Sequence, residues 1–456
     1  MRTVILRARG FITDFFTRGH TRSLEAKKNI LATFLVKGIS IAISLVLVPL
    51  TINYVNPSQY GIWLTLSSIV AWFSFFDIGF GNGLRNKFAE SKATGNLNKA
   101  RIYISTTYAA LVVIFSGIWV LFFIANFFIN WSKVLNAPGE MARELSTLAL
   151  IVFSFFCLQI ILKTINTIFI ADQKPAKASF LDMLGQLIAL VIIAILTITT
   201  KGSLLLLGVT LGFAPIIVLI ISNIWFFRGK FRQFAPSLKY VRFSYAKDLM
   251  KLGVKFFILQ IAYIIIYEAS NIIIAQVCGP KDVTIYNIAF KYFGIATMAF
   301  SIIMTPFWSA FTDAFAVKDY NWMKRTYKHL QKVTFLLIAG VLVMLLASGT
   351  AYHLWIGDVV TVKTSISVAV ALYVIVNIWN SLHSALLNGM GKIRLQLYIS
   401  MLGTAFNIPL AIVLGRKFGV EGVVMAAVLL NLISMVYSPI QVIRLLNNKA
   451  KGIWNA

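Results

Sequence analysis

The sequence predicts an all-α integral membrane protein with about 12 membrane-spanning helices. Of its 456 residues, 59% are apolar and 12% are charged, whereas about a quarter of a soluble domain is charged. The mean hydropathy is +0.82. The apolar residues gather in runs of roughly twenty, the length that a helix needs to cross a hydrocarbon layer about 30 Å thick. Because backbone groups in lipid must be paired within their own segment, these runs are predicted to be helices.

The distribution of positive charge predicts how these spans are oriented. The candidate spans are residues 30–52, 60–81, 103–129, 144–170, 179–200, 204–226, 252–277, 284–309, 333–353, 365–387, 397–414 and 422–443. With the N-terminus inside, the inner segments hold 31 of the 42 Lys and Arg residues, and the outer loops hold 7. The positive-inside rule therefore predicts that both termini are cytoplasmic. Topology thus accounts for the net charge of +27, and we predict no nucleic-acid partner.

Loops and composition divide the chain into five parts. These are a basic cytoplasmic arm (1–29), an N-terminal lobe (30–226), a basic inter-lobe linker (227–251), a C-terminal lobe (252–443) and a cytoplasmic tail (444–456). The arm lacks the apolar core of a cleavable signal peptide. A shift of roughly 220 positions aligns the loops of the two halves. Six spans per half is an even number, so the halves are predicted to face the same way, as in transporters built from parallel repeats.

Ionisable residues inside the spans are the best indicators of function, because each costs several kcal/mol in lipid unless it faces protein or water. They are Lys37, Asp77, Lys163, Asp182, Lys255, Glu268 and Lys291. Asp182 and Lys255 lie within about one turn of the predicted inner boundary, so snorkelling to the surface accounts for them. Lys37, Lys163 and Lys291 lie deeper, where snorkelling is harder.

The deep charges suit two different tasks. Lysines that face a cavity attract an anionic group such as a phosphate or pyrophosphate, strongly because the local dielectric is low. We predict this substrate-binding role for Lys37, Lys163 and Lys291. A lone central carboxylate can instead bind a proton or Na⁺. Glu268 is therefore a candidate for ion coupling, and so is Asp77 unless it only closes a helix end.

Polar residues recur at helical spacing on two spans, which predicts a polar face on each. On the first span, Ser40 and Ser44 continue the face that carries Lys37. The stripe on the seventh span consists of Gln260, Tyr263, Tyr267 and Asn271. We expect both faces to line a polar cavity. Hydrogen bonding between helices is the alternative, because Ser, Thr and Gln commonly provide it in membranes.

Signatures of catalysis are absent from the sequence. It holds no GxxxxGK phosphate loop, HExxH or GxSxG motif, and no Cys/His metal cluster. Cys157 and Cys278 have no CxxC spacing and are predicted to be packing residues. The four histidines lie far apart in the sequence and are predicted to be surface or packing residues. We therefore predict a protein that is not an enzyme and that has no cofactor or metal.

Several motifs resemble one known family. The motifs are Pro57-Ser-Gln-Tyr-Gly-Ile-Trp63, Phe76-Asp-Ile-Gly-Phe-Gly-Asn-Gly-Leu-Arg-Asn-Lys87, Ala171-Asp-Gln-Lys-Pro175 and Pro306-Phe-Trp-Ser-Ala-Phe-Thr-Asp-Ala314. They resemble loops and hinges of bacterial polysaccharide flippases of the O-antigen (Wzx) type. The resemblance extends over residues 30–445.

The resemblance implies a fold and a function. The superfamily, which also holds multidrug/cation antiporters and the lipid II flippase, has two six-helix lobes forming a V around a central cavity and works by alternating access. The polysaccharide branch moves undecaprenyl-pyrophosphate-linked oligosaccharide across the bacterial inner membrane. Implied partners are this lipid-linked substrate, membrane lipids, a polysaccharide polymerase and a chain-length regulator. The lipid II branch carries cavity arginines, but no arginine lies clearly inside a span here.

Two other functions remain alternatives. A multidrug/cation antiporter of the same fold would favour a cavity lined by carboxylates and aromatic rings. A polysaccharide polymerase or membrane glycosyltransferase usually needs a large outer loop or a cluster of catalytic carboxylates. The longest outer loop, residues 130–143, is short, and the sequence shows no such cluster. The sequence therefore favours a flippase over both.

Overall fold

The computed structural model describes residues 21–74, 79–172, 174–250 and 269–455, with side chains from residue 32 onward except for a few within 82–93 and 302–316. All regular secondary structure in these residues is helical, which confirms the predicted all-α class. The first described segments are α1 (Thr21–Val55), α2 (Pro57–Trp72), α3 (Phe80–Ala93), α4 (Leu97–Asn126), α5 (Trp131–Val134), α6 (Ala142–Leu162), α7 (Thr164–Ala171), α8 (Pro175–Thr199) and α9 (Leu204–Arg228).

The later helices are longer. Residues 246–250 are helical, and α10 is described over residues 269–277. The remaining helices are α11 (Pro280–Ala316), α12 (Tyr320–Ile356), α13 (Thr364–Met390) and α14 (Arg394–Leu446). Short 3₁₀ turns occur in the predicted linker at Arg232–Phe234, Leu238–Tyr240 and Phe243–Tyr245.

Within the described residues, nine helical stretches are long and apolar enough to cross a membrane. One of them, α14, has 53 residues, about 80 Å at 1.5 Å per residue, which is far more than one crossing needs. Gly419 breaks it with φ 65° and ψ −144°, a conformation that glycine adopts without a Cβ penalty. Two of the predicted spans therefore lie within α14, and the total of 12 remains a prediction.

Local signals start the helices where the sequence suggests. Asn56, Asn96, Asn130, Ser203 and Asp319 each accept a hydrogen bond from the backbone N–H three residues later, at 3.0–3.3 Å. Such caps satisfy one of the N–H groups that a helix start leaves without a partner. Proline is the first residue of α2, α8 and α11, where its missing N–H costs nothing.

The chain separates into two compact units, each built from several segments. Unit 1 comprises residues 1–50, 74–128 and 147–257, and unit 2 comprises residues 51–73, 129–146 and 258–456. Most of the second predicted span, up to residue 73, thus groups with the C-terminal half of the chain. The predicted lobes follow the order of the spans, whereas these units follow physical contacts. The lobe boundaries remain a prediction.

In unit 1, the basic linker packs against α4 through polar and aromatic contacts. Thr106 accepts a hydrogen bond from the Arg242 N–H at 3.0 Å and donates to the Arg242 carbonyl at 3.3 Å. Arg101 donates through Nε to the carbonyl of Ala235 at 2.9 Å, and its guanidinium lies 4.2 Å from the centre of the Tyr240 ring. The linker is therefore an ordered part of this unit.

A buried carboxylate joins three segments of unit 1. Asp172 follows α7, and its side chain is only 2% exposed. It accepts hydrogen bonds from Lys92 near the end of α3 and from Lys174 just before α8. Burial alone would raise the pKa of Asp172, but the bonds from Lys174 and Lys92 outweigh burial and lower it. Asp172 is therefore held as a carboxylate between two ammonium groups.

In unit 2, α2 and α11 approach each other very closely. A Cβ atom on Gly61 would lie 1.7 Å from the carbonyl oxygen of Pro280, so only glycine fits there without a shift of the backbone. Beside this contact, the Thr284 hydroxyl donates to the Pro57 carbonyl at 2.6 Å. The start of α2 is thereby fixed to the start of α11.

We predict that Gly61→Ala destabilises the protein although alanine favours a helix by about 1 kcal/mol. The added methyl group would collide with backbone, and overpacking of this kind typically costs about 1–3 kcal/mol. A lower melting temperature in detergent, measured by intrinsic fluorescence, would report this effect. The matched control is Gly117→Ala in α4, where nothing lies within 4 Å of the added atom. Equal melting temperatures for the two variants would contradict the close approach.

Asp172→Asn should destabilise the protein at pH 7 and do so less in acid. Because the folded pKa of Asp172 is lowered, its ion pairs stabilise the fold fully above the unfolded pKa of about 3.9, and this stability is lost as pH falls through the folded pKa. Melting temperatures of wild type and variant should therefore converge below about pH 4. Glu90→Gln, which removes the half-exposed pair with Lys87, is the control with a small expected effect. A difference in melting temperature between wild type and Asp172→Asn that does not change with pH would refute this account.

Candidate functional site

Lys291 lies deep in a spanning helix of unit 2. It is eleven residues from the start of α11, about 16 Å along the axis at 1.5 Å per residue. Its Nζ donates a long hydrogen bond of 3.5 Å to the hydroxyl of Tyr60 on α2. Among the described residues, no carboxylate lies within ion-pair distance of Lys291. Its neighbourhood therefore keeps a positive charge.

A chain of amide and hydroxyl groups runs beside Lys291 and links three helices. Asn287, one turn before Lys291 on α11, donates through Nδ2 to Oδ1 of Asn271 on α10 at 2.8 Å. Asn271 in turn donates to the hydroxyl of Ser68 on α2 at 2.7 Å. Asn271 and Ser68 are both buried. We call Tyr60, Ser68, Asn271, Asn287 and Lys291 the α11 polar network.

This network brings together two of the predicted site residues, Lys291 and Asn271. Its other polar groups are neutral, so they satisfy one another's hydrogen bonds without cancelling the ammonium charge. In a low-dielectric layer, such a charge attracts an anion more strongly than it would in water. The network is therefore suited to holding an anionic group.

An open cavity of about 510 Å³ adjoins the helices of the network. Its apolar lining comes from α10 and α14, with Trp72 from the end of α2. The polar members of the lining are Gln276 and Arg416. The Gln276 amide donates to the carbonyls of Lys133 and Val134, at 2.9 and 2.5 Å. Among the described lining residues, Arg416 is thus the one that carries a charge.

The second predicted lysine, Lys163, lies in unit 1 and is paired. It occupies the break between α6 and α7, and its Nζ lies 3.4 Å from Oδ1 of Asp182 on α8. The same carboxylate oxygen accepts a hydrogen bond of 3.2 Å from the buried Asn166. Both charged side chains are about half exposed, at 49% and 43%. The charge of Lys163 is therefore largely balanced, unlike that of Lys291.

Lys37, the third predicted lysine, is exposed on α1. Ser40 and Ser44 lie on the same helix at helical spacing and are half-buried. The described residues offer Lys37 no acidic partner. The polar face on α1 and its role stay predictions.

Six of the residues considered from the sequence lie outside the described residues. They are Asp77, Lys255, Gln260, Tyr263, Tyr267 and Glu268. The predicted ion-coupling pair and most of the polar stripe on the seventh span are among them. Their roles stay predictions.

Sequence reasoning missed four residues that the structure places beside the predicted ones. Asn287 and Asn166 each lie one helical turn from a predicted lysine, so helical spacing could have found them. Tyr60 and Ser68 gave no such signal, because they lie on another helix more than 200 positions from their partners. In the described part of the chain, no group of His, Cys, Asp or Glu could hold a metal ion.

Solved structures share this fold along nearly the whole chain. A multidrug resistance transporter of the MATE family in the MOP superfamily, in an inward-facing conformation, matches with a TM-score of 0.74 at 14% identity, covering 92% of this chain and all of the other. A MOP superfamily transporter from Pyrococcus furiosus matches with a TM-score of 0.65 at 15% identity, covering 96% and 98%. At such identities the likeness establishes the fold alone.

Sequence relatives are more specific. A provisionally named O-antigen transporter of Salmonella typhi is 21% identical over 376 residues, or 80% of this chain and 83% of the relative. A provisionally named O-antigen export protein of Yersinia pseudotuberculosis is 19% identical over 379 residues, with the same coverage. Residues 26–311 match the model of the family described as polysaccharide biosynthesis protein. That match covers more than half of the sequence and confirms the predicted resemblance: the chain is a multi-pass membrane protein that belongs to the polysaccharide biosynthesis protein family.

Proposed function

We propose that this protein is a flippase that moves an undecaprenyl-pyrophosphate-linked oligosaccharide from the inner to the outer leaflet of the bacterial inner membrane by alternating access. The oligosaccharide would be the repeat unit of an O-antigen, capsule or exopolysaccharide. Support for a polysaccharide substrate comes from the family and from relatives named as O-antigen transporters and exporters. A polysaccharide polymerase and a chain-length regulator would act on the product.

The single observation that carries the proposal is the charge of Lys291, which no carboxylate among the described residues compensates. A substrate of this class has an apolar chain that stays in lipid and a pyrophosphate that must cross the low-dielectric layer. Moving an isolated charge through that layer is costly, and a fixed counter-charge at depth lowers the cost. Lys291 offers such a charge, because its partner among the described residues is the neutral hydroxyl of Tyr60. Lys37 would add a second cation on α1.

The membrane potential would favour this direction of movement. With the inside negative, moving one negative charge outward releases about 2.3 kcal/mol per 100 mV. Glu268 and Asp77 are our candidates for binding a coupling ion. The pair of Lys163 and Asp182 already balances its own charge and is less suited to that task.

The alternative is a multidrug/cation antiporter, because MATE transporters have a similar fold. Such a protein would attract cations, so an unpaired lysine in its spanning helices would oppose binding. Among the described spanning residues, the carboxylate of Asp182 is paired with a lysine rather than free for a cationic drug. The positive charge of Lys291 inside a spanning helix therefore favours the flippase over the antiporter.

Deleting the gene in its native host separates these functions. A flippase defect should abolish surface polysaccharide and cause lipid-linked repeat units to accumulate inside, while drug susceptibility stays within about twofold. Immunoblots of surface polysaccharide, mass spectrometry of extracted lipid-linked oligosaccharides and growth inhibition by cationic drugs measure the three outcomes. Intact surface polysaccharide with raised drug susceptibility would support the antiporter instead. Single repeat units on the surface would indicate a polymerase.

Lys291→Gln should reduce surface polysaccharide in the complemented deletion strain by about tenfold, which corresponds to roughly 1.4 kcal/mol of lost stabilisation. Lys291→Arg, which keeps the charge, should retain most activity. The matched control is Lys281→Gln, an exposed lysine in the first turn of the same helix. Protein levels in the membrane fraction are compared by immunoblot. Full activity of Lys291→Gln would remove Lys291 from the transport pathway.

A further inference from the structure

A cluster of cations lies in unit 1, away from the candidate site. It consists of Lys92, Lys174, Lys177 and Lys230 around the buried carboxylate of Asp172. We call these four lysines the basic cluster. They lie in segments that the positive-inside rule predicts to be cytoplasmic. The deep site described above uses none of them.

The carboxylate does not neutralise this cluster. Asp172 is directed inward, with a side chain only 2% exposed, and it pairs with Lys92 and Lys174. Four ammonium groups against one carboxylate leave three positive charges. Lys177 and Lys230, both exposed, form no ion pair with any described carboxylate. The outward side of the cluster is therefore strongly positive.

The lysines are held close to one another in spite of their repulsion. Lys230 directly precedes Phe231, whose ring lies 5.6 Å from that of Phe169 and 6.3 Å from that of Phe226, the two rings that Lys177 lies over. The pKa of Lys230 is lowered. The main cause is repulsion by the ammonium group of Lys174, and burial contributes less. An anion placed between these groups would relieve the repulsion. The cluster therefore has the electrostatics of an anion-binding site.

Aromatic rings form the floor beneath the cluster. The Nζ of Lys177 lies 5.4 Å from the centre of the Phe226 ring and 6.0 Å from that of Phe169. Phe231, just past Lys230, packs against both rings and is buried. These contacts hold Lys177 over the ends of α7 and α9, so its ammonium group stays at the cluster rather than extending freely into solvent.

The surroundings indicate that the anion belongs to a lipid. The cluster lies where α8 begins and α9 ends, and both helices are long and apolar enough to span the membrane. Exposed aromatic side chains flank it on these helices: Phe180 is 44% exposed and Trp225 is 74% exposed. Tryptophan is enriched at the ends of spanning helices at the level of the lipid headgroups, so Trp225 marks that level. A phosphate at that level would lie beside the lysines.

We propose that Lys174, Lys177 and Lys230 bind the phosphoryl headgroup of a lipid in the inner leaflet. Lys92 keeps Asp172 occupied, so that Lys177 and Lys230 are free to contact the phosphate oxygens. A lysine near a membrane surface attracts such groups as a point charge with three donors. The site goes beyond the proposed function, since it requires a phosphorylated lipid but no translocation. A lipid diphosphate on its way to transport and an ordinary anionic phospholipid share this chemistry.

Binding of geranylgeranyl diphosphate to the full-length protein in phosphatidylcholine nanodiscs tests the site directly. Lys177→Gln/Lys230→Gln should weaken binding, measured by thermophoresis, by about tenfold or more. This variant leaves both bonds to Asp172 intact, so it should fold, and its melting temperature checks this. The matched control is Lys324→Gln/Lys328→Gln, which removes two lysines from α12 that are also predicted to be cytoplasmic. The control should bind within about twofold of wild type.

The remaining arms identify the source of the phosphate. Geranylgeraniol, which lacks the diphosphate, should not bind at the cluster. Inorganic pyrophosphate that competes as well as the prenyl diphosphate would overturn the lipid assignment. Adding phosphatidylglycerol to the nanodiscs should weaken probe binding in wild type if ordinary phospholipids occupy the site, and leave it unchanged if the site selects a lipid diphosphate. Equal losses in both double variants would overturn the site, and because no arm requires transport, that failure is separate from a failure of the flippase proposal.

Discussion

An ammonium or carboxylate group placed inside a spanning helix must find compensation, and this constraint governs the polar interior of the protein. Lipid offers no hydrogen bonds and little dielectric screening, so each such group is costly unless protein or water receives it. The two units meet this constraint differently. In unit 1, Lys163 is paired with Asp182, and the buried Asn166 shares the carboxylate. In unit 2, Lys291 has a neutral hydroxyl and an amide chain beside it instead.

The difference between these two solutions has a functional meaning. A lysine paired with a carboxylate forms a pair with no net charge, so it contributes to structure more than to the attraction of a ligand. A lysine among neutral partners keeps its field, and the field is useful only if an anion approaches. The α11 polar network therefore combines two properties, a fixed position and a remaining charge. A transporter of anionic headgroups needs both at the same place.

Backbone packing makes the α11 polar network possible. Tyr60 and Ser68 belong to α2, and they reach Lys291 and Asn271 because α2 lies against α11 without a side chain between their backbones at Gly61. The hydrogen bond from Thr284 to the carbonyl of Pro57 fixes the start of the same contact. A small residue at a close approach is a common way for membrane helices to associate, since apolar side chains gain little by leaving lipid.

The sequence by itself determined the helical class, the family and the deep lysines. Each of these depends on properties that are local along the chain: apolar runs of spanning length, charged residues within those runs, and motifs read in order. Only the tertiary structure decided that Asp182 neutralises Lys163, that Tyr60 accompanies Lys291, and that Asp172 joins Lys92 to Lys174. The physical reason is that an apolar helix surface leaves the rotation and partners of a spanning helix open, whereas a few close backbone contacts and buried polar pairs select them.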